Sequence, residues 1–272
     1  MTKRLLLAVA LLAAGILVFV LGNPYYSVWP MNGNKVFYYF LSAVFLVAAL
    51  LLRRSRCLQK YWQTAYAFFM ASAALLFMST GFLNARSYLL HPLKDLALDK
   101  LSQFLYVVPV LIVLTLLGGD DLKSLYIGRG KLRWGLIFGL SSFGVFALLA
   151  WIVQPDLVSV LSSLPHAVAW LLLFVFANAI MEELWFRAIF LKRFEALIGG
   201  VGAVLVTSLV FAASHFNATY AFPGGPYVFA MVVFILGAVG AYAMKKENGL
   251  LGAILFHAGY DLVIVMSILN SL

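Results

Sequence analysis

Charge is scarce in this chain. Of its 272 residues 11% are charged, against about a quarter in a soluble domain, while 64% are hydrophobic and the mean hydropathy is +1.01. That shortage excludes an ordinary soluble globule and predicts a polytopic membrane protein, with a length suited to one helical bundle and no separate soluble domain. Cysteine is almost absent as well. Cys57 stands alone, so no disulfide framework and no cysteine-based metal site can form within the chain. The charge that does exist is lopsided, at +9 with a pI near 9.7. A nucleic-acid partner is not the reading, because the basic residues occupy short loops between apolar runs, where they fix orientation in a lipid bilayer.

What is abundant is long apolar sequence. Runs of spanning length occur at roughly 5–21, 36–52, 61–83, 101–117, 134–154, 166–191, 201–215, 227–244 and 250–269. The expected fold is all-α, a polytopic membrane helix bundle of about eight to nine transmembrane helices, each near the ~20 residues a bilayer requires. Lys3 and Arg4 followed by Leu5 to Leu21 have the layout of a signal peptide. Gly22-Asn23-Pro24 lacks a small-x-small cleavage site, so an uncleaved first span is expected. Basic residues gather in alternate loops: Lys3 and Arg4, the 53–60 loop, the 123–133 loop, Lys192 and Arg193, then Lys245 and Lys246. Lys35, Arg86, Lys94 and Lys100 fall in the opposite set, offset by Asp95 and Asp99. Positive loops stay inside, which predicts a cytoplasmic N-terminus. The expected location is the bacterial cytoplasmic (inner) membrane.

Residues 118–133 form the longest polar connection and divide the chain. The helices of 1–117 carry no ionisable residue at their middles and read as accessory transmembrane helices. Residues 118–164 read as a basic cytoplasmic connection with a lead-in helix, and 165–272 as the catalytic core. No internal repeat or low-complexity tract is visible.

The core holds charges where apolar residues should be. Glu182, Glu183 and Arg187 lie in one apolar run, His215 ends the next, and His257 and Asp261 lie in the last. A carboxylate at mid-membrane costs roughly 2.5–3.5 kcal/mol on insertion scales, so such residues usually face a bundle interior and act there. Glu183 and Arg187 are four apart with the carboxylate first, the favourable order for a side-chain pair on one helix face. They are read as a positioning pair, which leaves Glu182 without a cation and free for acid–base work. His257 and Asp261 are also four apart, so the carboxylate can orient the imidazole. Each residue alone has a plainer reading: a self-neutralising pair, an interfacial histidine, a helix-stabilising hydrogen bond. At ~1.5 Å per residue, Glu182, His215 and His257 fall at similar depths, near the membrane middle.

Three motifs stand in order: Glu182-Glu183-Leu184-Trp185-Phe186-Arg187, Phe211-Ala212-Ala213-Ser214-His215 and His257-Ala258-Gly259-Tyr260-Asp261. Together they resemble the signatures of the CAAX protease and bacteriocin-processing (ABI) family, which includes the type-II CAAX prenyl endopeptidase. The resemblance covers about 165–270. It extends more weakly back to 120, where Gly128-Arg129-Gly130-Lys131-Leu132-Arg133-Trp134-Gly135 is similar to the basic lead-in of that domain. It implies an intramembrane glutamate-dependent endopeptidase acting on a peptide or protein substrate, which can itself be membrane-anchored. The implied catalytic residues are Glu182 and His215, which activate a water, and His257 and Asp261, which stabilise the oxyanion or hold the water. Glu183 and Arg187 are the implied positioning residues. The prenyl endopeptidases resembled have asparagine where this chain has Asp261, whereas many bacterial relatives have aspartate. An ionised carboxylate cannot donate to an oxyanion, so Asp261 must be protonated or must act through His257.

No cofactor is expected. Zinc is the alternative, since two histidines and a carboxylate form a known catalytic set, but the usual pair of histidines four apart around a glutamate is missing. Two other functions compete. A proton-coupled transporter would use the same residue types, though it usually shows two related halves. A non-catalytic scaffold or immunity factor would not need intact motifs.

Overall fold

The computed structural model describes residues 2–21, 31–80, 91–163, 166–216 and 222–269. Gly22-Asn23-Pro24, Arg86 and the end of the 61–83 run lie outside the described residues. Helix α1 (Thr2–Ile16) continues into a π-helical turn, Leu17–Leu21, and is followed by α2 (Met31–Arg54), α3 (Trp62–Met78) and α4 (Pro92–Leu117). After a short 3-10 turn at Leu122–Leu125 come α5 (Leu132–Val153), α6 (Pro155–Ser163) and α7 (Ala167–Glu182). A second π-helical turn, Glu183–Ala188, leads into α8 (Ile189–Ser214), then α9 (Gly225–Glu247) and α10 (Leu251–Leu269). No strand occurs among the described residues. The chain is an all-helical, multi-pass membrane protein.

Seven described helical stretches are long and apolar enough to cross a bilayer, slightly below the expected eight to nine. The shortfall has two local causes. The run at 61–83 yields a described helix of 17 residues, and the runs at 166–191 and 201–215 join into one stretch, Ala167–Ser214. That stretch has 48 residues and would be about 72 Å long if straight, more than twice a hydrocarbon core. It is not straight. Gly199 sits at φ +82° and ψ 167°, a conformation essentially confined to glycine, and the chain doubles back there. His215 consequently returns to Glu182, with the two at nearly equal sequence distance from the turn.

Helix α4 begins earlier than the apolar run at 101–117 suggests. Pro92 occupies its first turn, where a missing N–H costs nothing, so Lys94, Asp95, Asp99 and Lys100 are helical and not loop residues. Leu93, Leu96 and Ala97 are buried with Leu171, Phe174, Val175 and Ala179 of α7. Lys100 continues that same face by helical spacing.

The basic connections meet at one end of the bundle. Arg193 pairs with Asp120 at 2.6 Å, Gln63 Nε2 donates to Asp120 at 3.1 Å, and Lys245 pairs with Glu195 at 2.8 Å. Lys192 lies 4.3 Å over the Tyr126 ring, and Lys131 N–H donates to the Glu247 carbonyl at 2.6 Å. Helix α9 stops at Asn248, whose φ of +52° is the left-handed cap that asparagine tolerates. The chain then turns at once into α10, where Gly252 N–H donates to the Glu247 carboxylate at 2.8 Å.

Helix α10 is clamped from behind by α5. A Cβ at Gly259 would stand 2.9 Å from the Phe143 backbone, and one at Gly139 would stand 2.8 Å from Leu255, so these helices touch where side chains are absent. Gln154, just past α5, donates to the Leu262 carbonyl at 3.1 Å and accepts Met266 N–H at 3.1 Å. Its amide thus bridges a donor and an acceptor that are i,i+4 partners in a regular helix.

Candidate active site

The three motifs converge. Glu182 ends α7, Glu183 and Arg187 lie on the π-helical turn, His215 caps α8, and His257 and Asp261 project from α10. Glu182, Glu183, Arg187, His257 and Asp261 are all buried, Glu183 and Arg187 at 1% exposure. A π-helical turn narrows the angle between neighbouring side chains below the ~100° of an α-helix. Adjacent Glu182 and Glu183 can therefore both face His257. Such turns are frequent at functional sites.

Glu182 Oε2 stands between two imidazoles. It is 3.7 Å from His215 Nε2 and 3.6 Å from His257 Nε2, and it has no hydrogen-bond partner among the described residues. His215 Nδ1–H donates to the Phe211 carbonyl at 2.8 Å, because a carbonyl can only accept. That bond fixes the ring and leaves Nε2 directed at Glu182.

The positioning pair expected from the sequence is present: Arg187 Nη1 donates to Glu183 Oε1. Arg187 Nε also donates to the Gly237 carbonyl at 3.2 Å, and its guanidinium lies 4.2 Å over the Phe211 ring. The Phe211 centroid is in turn 4.5 Å from the His215 ring and 5.9 Å from the His257 ring. One aromatic side chain thus covers the ion pair and walls both histidines.

One expected contact is replaced. The spacing of His257 and Asp261 suggests that the aspartate orients the imidazole, yet Asp261 Oδ1 is 3.6 Å from Nε2, beyond hydrogen-bond reach. Glu183 Oε1 does the orienting, at 2.7 Å from His257 Nδ1. The widened turn carries Glu183 across to α10, which spacing within one helix cannot reveal.

Two further residues belong to this neighbourhood and went unnoticed in the sequence. Asn178, 7% exposed, donates from Nδ2 to Asp261 Oδ2 at 3.0 Å. Its signal was its place four residues before Glu182, on the same helix face. Lys100 of α4 lies by helical spacing on the face of α4 that packs on α7. The first helices also buttress the motif turn: Phe19 lies 4.4 Å from the Phe186 ring, and Trp185 Nε1–H donates to the Ala71 carbonyl at 3.3 Å.

A catalytic zinc would need three protein donors about one point at ~2.0–2.2 Å. Among the described residues no group of three or more His, Cys, Asp or Glu side chains is disposed to hold a metal ion. The contacts are pairwise, through Glu182 Oε2 and His257 Nε2.

No curated protein and no solved structure matches the chain. A family model does: residues 164–263, which contain all six motif residues discussed above, match type II CAAX prenyl endopeptidase Rce1-like. Residues 164–263 of this multi-pass bundle are thus similar to the Rce1-like type II CAAX prenyl endopeptidase domain.

Proposed function

We propose that the chain is a glutamate-dependent intramembrane endopeptidase that hydrolyses a peptide bond of a peptide or protein substrate held in or at the bilayer. The observation that carries this reading is Glu182 Oε2, buried and unpartnered among the described residues, flanked by the Nε2 atoms of His215 and His257 at 3.7 and 3.6 Å. Those separations are too long for direct hydrogen bonds and suit a shared water. Convergence on one such point favours hydrolysis over a proton path strung along the membrane.

In the proposed reaction a water gives one proton to Glu182 while its oxygen bonds to the scissile carbonyl carbon. The carbonyl electron pair moves to oxygen and forms a tetrahedral oxyanion. His215 Nε2 accepts the second water hydrogen in a hydrogen bond and sets the angle of attack. Collapse of the oxyanion breaks the C–N bond, and the leaving amine takes the proton from Glu182. Doubly protonated His257 keeps Nδ1–H on Glu183 and donates Nε2–H to the oxyanion. Asp261, held by Asn178, supplies the counter-charge to that imidazolium and need not donate itself. Glu183 and Arg187 position His257. No step in this reaction is routed through a metal.

The family name supports a C-terminal prenylated substrate as the first probe, and the basic loops support a cytoplasmic N-terminus. The test is direct. Purified, detergent-solubilised protein is incubated with a prenylated CAAX peptide and with its unprenylated form, and new termini are read by mass spectrometry. Cleavage by the wild-type chain that Glu182→Gln removes supports the reading. Cleavage that survives the substitution overturns it.

A further inference from the structure

A peptide drawn into an apolar site brings backbone N–H groups that lose their water. Leaving one unpaired costs a substantial part of its hydration, so the protein must offer acceptors. Among the described residues three unpartnered buried carboxylate or amide oxygens belong to the site, Glu182 Oε2, Glu183 Oε2 and Asn178 Oδ1; the buried Tyr260 hydroxyl is also unpartnered, but it carries a donor of its own. The first is assigned to the water. The second faces Gly240 of α9, where an added Cβ would meet it at 3.5 Å, and so points away from the water. Asn178 Oδ1 remains.

The orientation of that amide is dictated by its partner. The ionised Asp261 of the proposed reaction can only accept from it, so Nδ2 faces the aspartate at 3.0 Å and Oδ1 is turned away from it. Asn178 and Glu182 share one face of α7, four residues and ~6 Å apart along the axis. An extended peptide rises 3.2–3.4 Å per residue, so N–H groups on one edge recur every ~6.5–7 Å. The two spacings agree. A strand lying along α7 with its scissile carbonyl at the Glu182 water brings an N–H two residues away to Asn178.

We infer that Asn178 is a substrate-binding residue whose Oδ1 accepts one backbone N–H of an extended peptide, two residues from the residue whose carbonyl is attacked. The inference rests on the endopeptidase reading above. It predicts a specificity rule: proline or an N-methyl residue at that one position is refused, because it brings no N–H.

The experiment measures binding, so that it does not depend on turnover. The full chain carrying Glu182→Gln is titrated with a prenylated CAAX hexapeptide and with analogues in which one backbone N–H at a time is replaced by an ester oxygen. One ester position is expected to weaken binding roughly 3- to 10-fold, the range for one neutral hydrogen bond. The same ester should cost nothing further when Asn178→Ala is added. Asn178→Leu, which keeps the branched shape and carries no acceptor, serves where the alanine variant yields little folded protein. Equal losses with and without Asn178, no sensitive position, or no binding of the hexapeptide would each overturn the inference. A wild-type chain that binds with the expected ester pattern but cuts nothing would remove the endopeptidase reading and leave Asn178 as a peptide-binding residue.

Discussion

Glu183 Oε1 lies 2.7 Å from His257 Nδ1 and joins the π-helical turn to the last helix. The same oxygen accepts Arg187 Nη1, so one carboxylate holds a cation on its own helix and an imidazole on another. The pair is buried at 1% exposure on both sides, where a charge left alone is expensive. Its positioning role therefore has a stability component that can be separated from chemistry.

Removing either partner alone should destabilise the fold. Glu183→Gln strands the guanidinium and Arg187→Ala strands the carboxylate, each at a cost of about 3–5 kcal/mol. The double variant Glu183→Gln/Arg187→Ala should lose clearly less than the sum, because the ion pair is removed whole and neither member is left stranded. Thermal unfolding in detergent and yield of folded protein measure both. Strict additivity would show that the two side chains do not act as a pair.

Glu182→Gln should behave in the opposite way. The side chain keeps its shape, and Oε2 has no described partner to lose, so stability should change little. The rate should fall by at least 10²–10⁴, the range for a positioned general base. Steady-state kinetics and melting temperature, measured on the same preparation, separate these effects. A large drop in melting temperature with residual cleavage would reverse the roles assigned to Glu182 and Glu183.

The parts of this site that were legible in the sequence were the charged ones. A glutamate or histidine inside an apolar run announces itself, and Glu182, Glu183, Arg187, His215, His257 and Asp261 do come together in space. Asn178 carries no charge and passes as one polar residue in a helix. Lys100 was assigned to a loop, because counting apolar residues starts α4 at 101 and overlooks Pro92 as its first turn. The bond between Glu183 and His257 joins residues 74 apart. Periodicity finds partners three or four residues away on one helix, and a contact between helices depends on how the π-helical turn aims its side chains.

The reversal at Gly199 gives a third prediction. Its φ of +82° with ψ near 167° lies where an L side chain is strained, although an added Cβ would have no heavy atom within 4 Å. The cost is thus conformational and not steric crowding by neighbours. Gly199→Ala should destabilise by about 1–3 kcal/mol and should lower activity by shifting His215 against Glu182. Gly144→Ala is the control, because a Cβ there also meets nothing within 4 Å and its φ is not positive. Equal melting temperatures for the two variants would show that the turn does not require glycine.

The fourth prediction concerns metal. If Glu182 and His215 act on water directly, phenanthroline at concentrations that strip catalytic zinc should leave the purified protein active. Elemental analysis should then find well under one zinc per chain. A zinc site would behave otherwise, because its ligands must lose their protons to bind and its water ionises near pH 7. Activity would then depend on metal supply, fall with chelator and return with stoichiometric zinc. His215→Ala offers a second discriminator. In the direct mechanism the loss is confined to rate, whereas in a zinc site the variant would also lose bound metal, readable by elemental analysis without any assay of cleavage. Chelator-sensitive activity restored by one zinc per chain would make His215, His257 and one carboxylate ligands, and Glu182 would no longer act on a free water.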